Sequence, residues 1–121
     1  MDSQARIWLA LAALEGLIAV AAGAFGAHGA SDPAAKEWLR TGAQYQMVHA
    51  LAVFAAWSVW KTGAGAAAVS AWLFLAGALV FGGTLYLMAL GAPRWLGAVT
   101  PVGGLMLLGG WAVLAWAAFK S

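Results

Sequence analysis

The sequence predicts an all-α integral membrane protein, a four-helix bundle in a single domain that covers residues 1–121. Three observations lead to this fold class. The chain is 64% hydrophobic and only 8% charged, whereas soluble domains are roughly 45–50% apolar and about 25% charged. Four apolar stretches approach the ~20 residues that a helix needs to cross a bilayer. Tryptophans cluster near the ends of these stretches, as in the aromatic belts of membrane proteins.

The first predicted span is Ile7–Ala27, which contains one charged residue, Glu15. Its end, GAFGAHGA at 23–30, allows three interpretations. A nucleotide-binding loop needs a strand before it, and here an apolar helix precedes it. A signal-peptide cleavage site follows a shorter apolar core than this one. A closely packed helix end is therefore the favoured interpretation.

Small residues support that interpretation. Ala19, Gly23 and Ala27 are four residues apart, so they share a face on which a neighbouring backbone can approach. Gly29 is expected to take the left-handed conformation that ends many helices.

The connection 28–42 is the longest and contains DPAAKEWLRTG. Asp32 before Pro33 is a helix-start signal. We expect one or two turns of interfacial helix between the first and second spans, with Trp38 and Leu39 on its apolar face. A rigid amino-terminal extension of the second span is the alternative.

The remaining spans follow with short connections. The second, third and fourth are predicted at 43–60, 66–90 and 101–119, and the turn KTGAG at 61–65 joins the second and third. Thr100 before Pro101 is expected to cap the fourth span. Inside the last two spans, glycines are expected to provide close-packing faces; they are Gly77, Gly82, Gly83, Gly103, Gly104, Gly109 and Gly110.

Four crossings would place both termini on one membrane side with the turn at 61–65. Trp8, Trp57, Trp60 and Trp116 then belong to the belt on that side, Trp38 and Trp95 to the opposite belt, and Trp72 and Trp111 to packing between helices. Each side carries three lysines or arginines, so the positive-inside rule does not favour either orientation. The additional positive charge of the terminal amine makes cytoplasmic termini the expected orientation.

The polar residues inside the spans collect toward the end that carries the connections 28–42 and 91–100. Glu15 is deep in the first span, and Gln46 and His49 share a face of the second, where His49 lies about two turns above Glu15. A hydrogen bond between Glu15 and His49 is therefore possible. The candidate polar cluster also includes Thr84 and Tyr86, of which at most one joins the group because they point to different faces. The predicted interfacial residues are His28, Trp38, Arg94 and Thr100.

Several classes of function are disfavoured by composition. The six basic residues are scattered, so no cationic stripe exists for nucleic acid. The chain has no cysteine, which excludes disulfides and thiolate sites. No catalytic set, cofactor or metal site is predicted. Only two histidines exist, His28 lies about 20 Å along its helix from Glu15, and no nucleophile–base pair presents itself.

Three blocks in fixed order carry a family resemblance: GAFGAHG at 23–29, TGAQYQMVHALA at 41–52, and GGTLYLMAL at 82–90 followed by TPVGGLMLLGGW at 100–111. The chain resembles domain-of-unknown-function family 423, small membrane proteins that include the eukaryotic transmembrane protein 256. The family usually has serine-glycine-serine where this chain has Gly82, Gly83 and Thr84. The resemblance implies a four-helix protein, commonly of the bacterial inner membrane, and supplies no reaction. The matching residues are Gly23, Gly26, His28, Gly29, Gln44, Tyr45, Gln46, His49, Tyr86, Thr100, Pro101, Gly103, Gly104 and Trp111.

Two functions are compatible with these observations. The first is a non-enzymatic packing or accessory protein of the membrane, surrounded by lipid and assembled as a homo-oligomer or within a larger membrane complex. The alternative is a module that binds or transports a lipid, a small molecule or a proton, with a polar site open to one leaflet around Glu15, Gln46 and His49. An enzyme is not expected.

Overall fold

Four long helices make up almost the whole chain in the computed structural model, which describes residues 1–121. They are α1 (Ser3–His28), α2 (Pro33–Trp60), α3 (Ala67–Ala89) and α4 (Thr100–Lys120), with a short 3₁₀ helix (Arg94–Ala98) before α4. No strand is present. The all-α prediction is confirmed.

Acidic side chains start the first two helices. Asp2 Oδ1 accepts a hydrogen bond from the Gln4 amide at 2.8 Å, and Asp32 Oδ2 accepts one from the Ala35 amide at 3.1 Å. These bonds satisfy amide donors that a helix start otherwise leaves unpaired. The prediction that Thr100 caps α4 is wrong, since its hydroxyl donates instead to the Leu96 carbonyl at 3.3 Å.

The expected separate interfacial helix is absent, because α2 runs without interruption from Pro33 to Trp60. The alternative, a rigid extension of the second span, matches the structure. Leu39, Gly42 and Ala43 are buried, so packing continues through the segment where a break was expected. At 1.5 Å per residue, the 28 residues of α2 extend about 42 Å, which exceeds a hydrocarbon core of about 30 Å.

Neighbouring helices are antiparallel. Trp8 of α1 meets Trp60 of α2 at a ring-centroid distance of 5.2 Å, while Gly26, near the other end of α1, lies against Leu39. Similar pairings join α2 to α3 and α3 to α4. We call the end with the termini and the 61–66 turn end A, and the end with residues 29–32 and 90–99 end B.

The predicted four-helix bundle is not closed. α2 and α3 form the central pair, α1 packs mainly on α2, and α4 packs mainly on α3, whereas α1 and α4 do not pack on each other. The two flanking helices therefore expose most of their surface. Their exposed side chains are largely apolar, as expected of a surface that faces lipid rather than water.

Three helices are long and apolar enough to cross a membrane: α1, α3 and the segment Arg94–Lys120 that contains α4. The fourth predicted span lies in α2, which does not meet this criterion. It contains Gln44, Gln46 and His49 in addition to the charged residues of its first turns, and these lower its hydropathy. α2 can therefore cross the membrane only if these polar side chains point toward other helices and away from the lipid.

Close packing on α1 follows a stripe slightly different from the expected one. Gly26 and Gly23 face α2, where an added Cβ would stand 3.0 Å from Leu39 Cβ and 3.5 Å from Ala43 Cβ respectively. Ala27 is exposed. Gly29 has φ −104°, so the expected left-handed conformation is wrong and α1 ends in a right-handed one.

The tryptophan belts are realised in part. Lys61 lies over Trp57 at 4.1 Å and Lys120 over Trp116 at 4.8 Å, both at end A. Trp8 is fully buried rather than interfacial, because it fills the space between α1 and the end of α2.

Candidate functional site

Glu15 occupies the centre of α1. It lies 12 residues after Ser3 and 13 before His28, so roughly 18 Å of helix extends on either side. Its side chain is 8% exposed. It belongs to a buried stripe with three- and four-residue spacing, which is the face that α1 turns toward its neighbours; the stripe contains Ala5, Trp8, Ala12, Glu15, Ala19 and Gly26.

A chain of hydrogen bonds links Glu15 to two other helices. Gln46 Nε2 of α2 donates to Glu15 Oε1 at 3.1 Å. The Tyr86 hydroxyl of α3 donates to Gln46 Oε1 at 2.8 Å. Gln46 thus accepts from Tyr86 and donates to Glu15, so the two bonds run in the same direction and polarise each other. Three of the residues in the predicted cluster are thus brought together.

His49 is separate from this chain. Trp111 Nε1 of α4 donates to His49 Nε2 at 3.0 Å, and His49 Nδ1 lies 2.6 Å from the Tyr45 carbonyl oxygen. Because an indole N–H only donates and a carbonyl only accepts, these contacts define an imidazole with its proton on Nδ1. The imidazole also packs beside Phe74, at a ring-centroid distance of 5.8 Å.

The hydrogen bond between Glu15 and His49 that the sequence allows is therefore not formed. Residues 46 and 49 differ by about 60° around a helix, and that angle is enough to direct Gln46 toward α1 and α3 and His49 toward α4. Of the two α2 residues in the predicted cluster, Gln46 is the one that lies beside the carboxylate.

Thr84 and Thr100 form a third polar contact. Their hydroxyl oxygens are 2.6 Å apart, with either as donor, and they join α3 to α4. The Thr84 hydroxyl oxygen also lies 2.9 Å from Val80 O and 3.2 Å from Phe81 O, the carbonyls of its own helix to which it donates when Thr100 donates to it. Tyr86 and Thr84 face different neighbours, as expected.

Of the predicted interfacial residues, His28, Trp38 and Arg94 lie at end B, apart from the polar cluster, whereas Thr100 contacts Thr84 of that cluster. His28 is exposed at the last turn of α1. The Arg94 guanidinium lies 5.4 Å from the centre of the Trp38 ring, which is a cation–π distance. Thr100, by contrast, is buried at 9% exposure.

An apolar groove opens beside Glu15, and we call it the α1–α3 groove. Its volume is about 380 Å³, within the roughly 300–1,000 Å³ of small-molecule pockets. Glu15 supplies the charged group in a wall that is otherwise apolar. Its main lining residues are Leu11, Leu14 and Ile18 of α1 and Trp72, Ala76 and Leu79 of α3.

The groove faces outward. Leu14 and Leu79, on its two sides, are 56% and 58% exposed. Trp72, which was expected to pack between helices, is 44% exposed and lines the groove. The groove exists because α1 leans on α2 and touches α3 only along part of its length, which no periodicity in the sequence reveals.

The polar side chains of the candidate site join neighbouring helices and do not form a recognisable set of reactive groups. Four hydrogen bonds connect α1 to α2, α2 to α3, α2 to α4, and α3 to α4. No group of three or more histidine, aspartate and glutamate side chains is positioned to hold a metal ion. Sequence reasoning missed Trp111 as a polar partner; its only signal was a tryptophan far from the helix ends.

Fold and site together define a helical membrane protein whose deep polar groups pair with one another across helices. The chain belongs to the family described as protein of unknown function (DUF423), which matches residues 22–104.

Relatives match nearly end to end. The UPF0382 membrane protein YwdK of Bacillus subtilis is 38% identical over 95% of this chain and 98% of its own length. A UPF0382 membrane protein of Haemophilus influenzae is 43% identical over 94% of each chain. The UPF0382 inner membrane protein YgdD of Escherichia coli is 40% identical over 95% of this chain and 91% of its own. No solved structure gives a significant match.

Proposed function

We propose that the protein is a non-enzymatic accessory component of the bacterial inner membrane, which packs as one rigid unit beside a second copy or within a larger membrane complex. One observation carries the proposal: the deep polar side chains form contacts that join all four helices. In lipid, such contacts and close backbone packing hold helices together. The large apolar surfaces of α1 and α4 are the faces offered to a neighbour.

The experiment is lysine-reactive crosslinking in intact host membranes followed by native mass spectrometry in a mild detergent. Lys36, Lys61 and Lys120 are exposed at the two ends of the molecule, where the reagent reaches them. We expect one discrete species heavier than the monomer, which is absent from membranes that lack the protein. A monomer that carries only lipid and detergent would contradict the proposal.

The accessory role includes a topology in which α2 also crosses the bilayer. Gln46 and His49 are 2% and 6% exposed and bond to other helices, so their polarity is hidden from lipid. Intramembrane polar residues typically face the protein interior in this way. Four crossings put both termini on one side, and the terminal amine favours the cytoplasm.

Reporter fusions test this topology. Fluorescent and periplasmically active reporters fused after Ser121 are expected to give only the cytoplasmic signal, and fusions at Gly63, in the turn at the same end, are expected to match them. Fusions at Gly91, at end B, are expected to give the opposite signal. Termini on opposite sides would mean that one helix, α2 first of all, does not cross.

No specific observation favours the alternative of a site entered from end B. Tyr86 packs at Gly42, where an added Cβ would stand 2.6 Å from the Tyr86 ring. Gly42 is one turn closer to end B than Gln46, so the phenol covers Gln46 from that direction. The approach to Glu15 is instead lateral, through the α1–α3 groove.

A further inference from the structure

Glu15 is the one acidic residue in the interior of the molecule, and no basic residue forms an ion pair with it. The one ion pair in the structure joins Arg40 to Glu37, and both side chains are exposed. Glu15 accepts one hydrogen bond, at Oε1, and Oε2 has none. Gln46 donates to the carboxylate and accepts in turn from the Tyr86 hydroxyl, and a hydrogen bond donated to a carboxylate favours its charged form. A charge at this depth is costly unless a counter-charge accompanies it.

The α1–α3 groove is the place from which a counter-charge can come. It has a volume of about 380 Å³ beside Glu15 and opens to the exposed surface between α1 and α3. Its walls are leucine, isoleucine and alanine, with one large aromatic ring from Trp72. An acyl chain would fill the apolar space and leave the carboxylate unpaired. A neutral alcohol would donate one hydrogen bond and leave the charge uncompensated.

We propose that the α1–α3 groove binds a lipophilic organic cation, one whose apolar groups fill the groove and whose positive charge is met by Glu15. The apolar groups gain the contacts that Leu14, Ile18 and Leu79 offer. The charge gains the carboxylate, and the Trp72 ring adds the attraction of an aromatic face for a cation. This binding site goes beyond the packing role and does not depend on it.

Charge selectivity follows from the single carboxylate. In a low-dielectric site an ionic pair is far stronger than in water, so a cation and an anion of the same shape should differ strongly in affinity. Tetraphenylphosphonium and tetraphenylborate are such a pair. Nonspecific partition into detergent or onto an apolar surface would not favour the cation over the anion.

The test is equilibrium dialysis of the purified full chain, in one neutral detergent, against each of the two ions. We expect saturable binding of tetraphenylphosphonium near one per chain and no saturable binding of tetraphenylborate. Glu15→Gln should weaken cation binding by at least about tenfold. Glu37→Gln removes an exposed carboxylate outside the groove and should leave binding unchanged.

A second variant keeps the test decisive if Glu15→Gln does not fold. Ala76 is exposed on the α3 wall of the groove and has no part in the hydrogen-bond chain. Ala76→Phe fills the space and retains the carboxylate, so it should also weaken cation binding by at least about tenfold, with helicity by circular dichroism unchanged. Equal binding of the two ions by the wild type overturns the proposal. So does cation binding that survives either folded groove variant.

Discussion

Replacing Gly103 with alanine is expected to destabilise the protein by roughly 1–3 kcal/mol, the usual cost of overpacking a tight interface. A Cβ at this position would stand 2.5 Å from the Phe81 amide nitrogen and 2.9 Å from the Gly77 carbonyl oxygen. Both are backbone atoms that cannot rotate away. α4 would have to move off α3, and close backbone approach is a main source of helix association in lipid.

Gly104→Ala is the matched control. A Cβ there would meet only the edge of the Phe81 ring, at 3.9 Å, which is an ordinary contact. Alanine is a better helix former than glycine, by up to about 1 kcal/mol, so this variant is expected to be neutral or slightly more stable. Unfolding by sodium dodecyl sulfate in mixed micelles, followed by circular dichroism, measures both. Equal stability of the two variants would mean that α3 and α4 do not pack through Gly103.

The glycine pair illustrates what the sequence could predict. Composition and run length locate α1, α3 and α4 to within four residues at each end, because a chain this apolar is driven to satisfy its backbone hydrogen bonds in helices. They place the second span at 43–60, whereas α2 begins ten residues earlier, at Pro33. They do not say which of two adjacent glycines meets a neighbour. Consecutive residues differ by about 100° around a helix, and the facing helix decides which direction is occupied.

For the same reason, the sequence does not predict the hydrogen-bond partner of His49. Depth along a helix follows from counting, and Glu15, Gln46 and Tyr86 do meet. The angle at which two helices face each other does not follow from counting, so the sequence allows a bond between His49 and Glu15 and does not indicate the one that His49 forms with Trp111. The sequence predicts a four-helix bundle but not which helices pack on each other. α1 and α4 do not, and the α1–α3 groove depends on the limited contact between α1 and α3.

Replacing Gln46 with leucine is expected to be the most destabilising single change in the polar cluster. Gln46 is 2% exposed and serves both neighbours, as donor to Glu15 and acceptor from Tyr86. Leucine would leave both groups unpaired in an apolar setting, at about 1–3 kcal/mol for each stranded group and more for a charged one. The measurement is the free energy of unfolding in mixed micelles.

Two comparisons separate this effect from a general intolerance of α2 to leucine. Gln44→Leu changes the same residue type two positions earlier, where the side chain is exposed, and is expected to stay within about 0.5 kcal/mol of the wild type. Glu15→Leu/Gln46→Leu removes the stranded carboxylate together with its donor. Replacing both partners of a buried polar pair by apolar groups is often nearly neutral, so the double variant should be more stable than Gln46→Leu alone. If it is less stable than that single variant, Glu15 is supported by groups other than Gln46, and the three-helix hydrogen-bond chain is not what holds α1 in place.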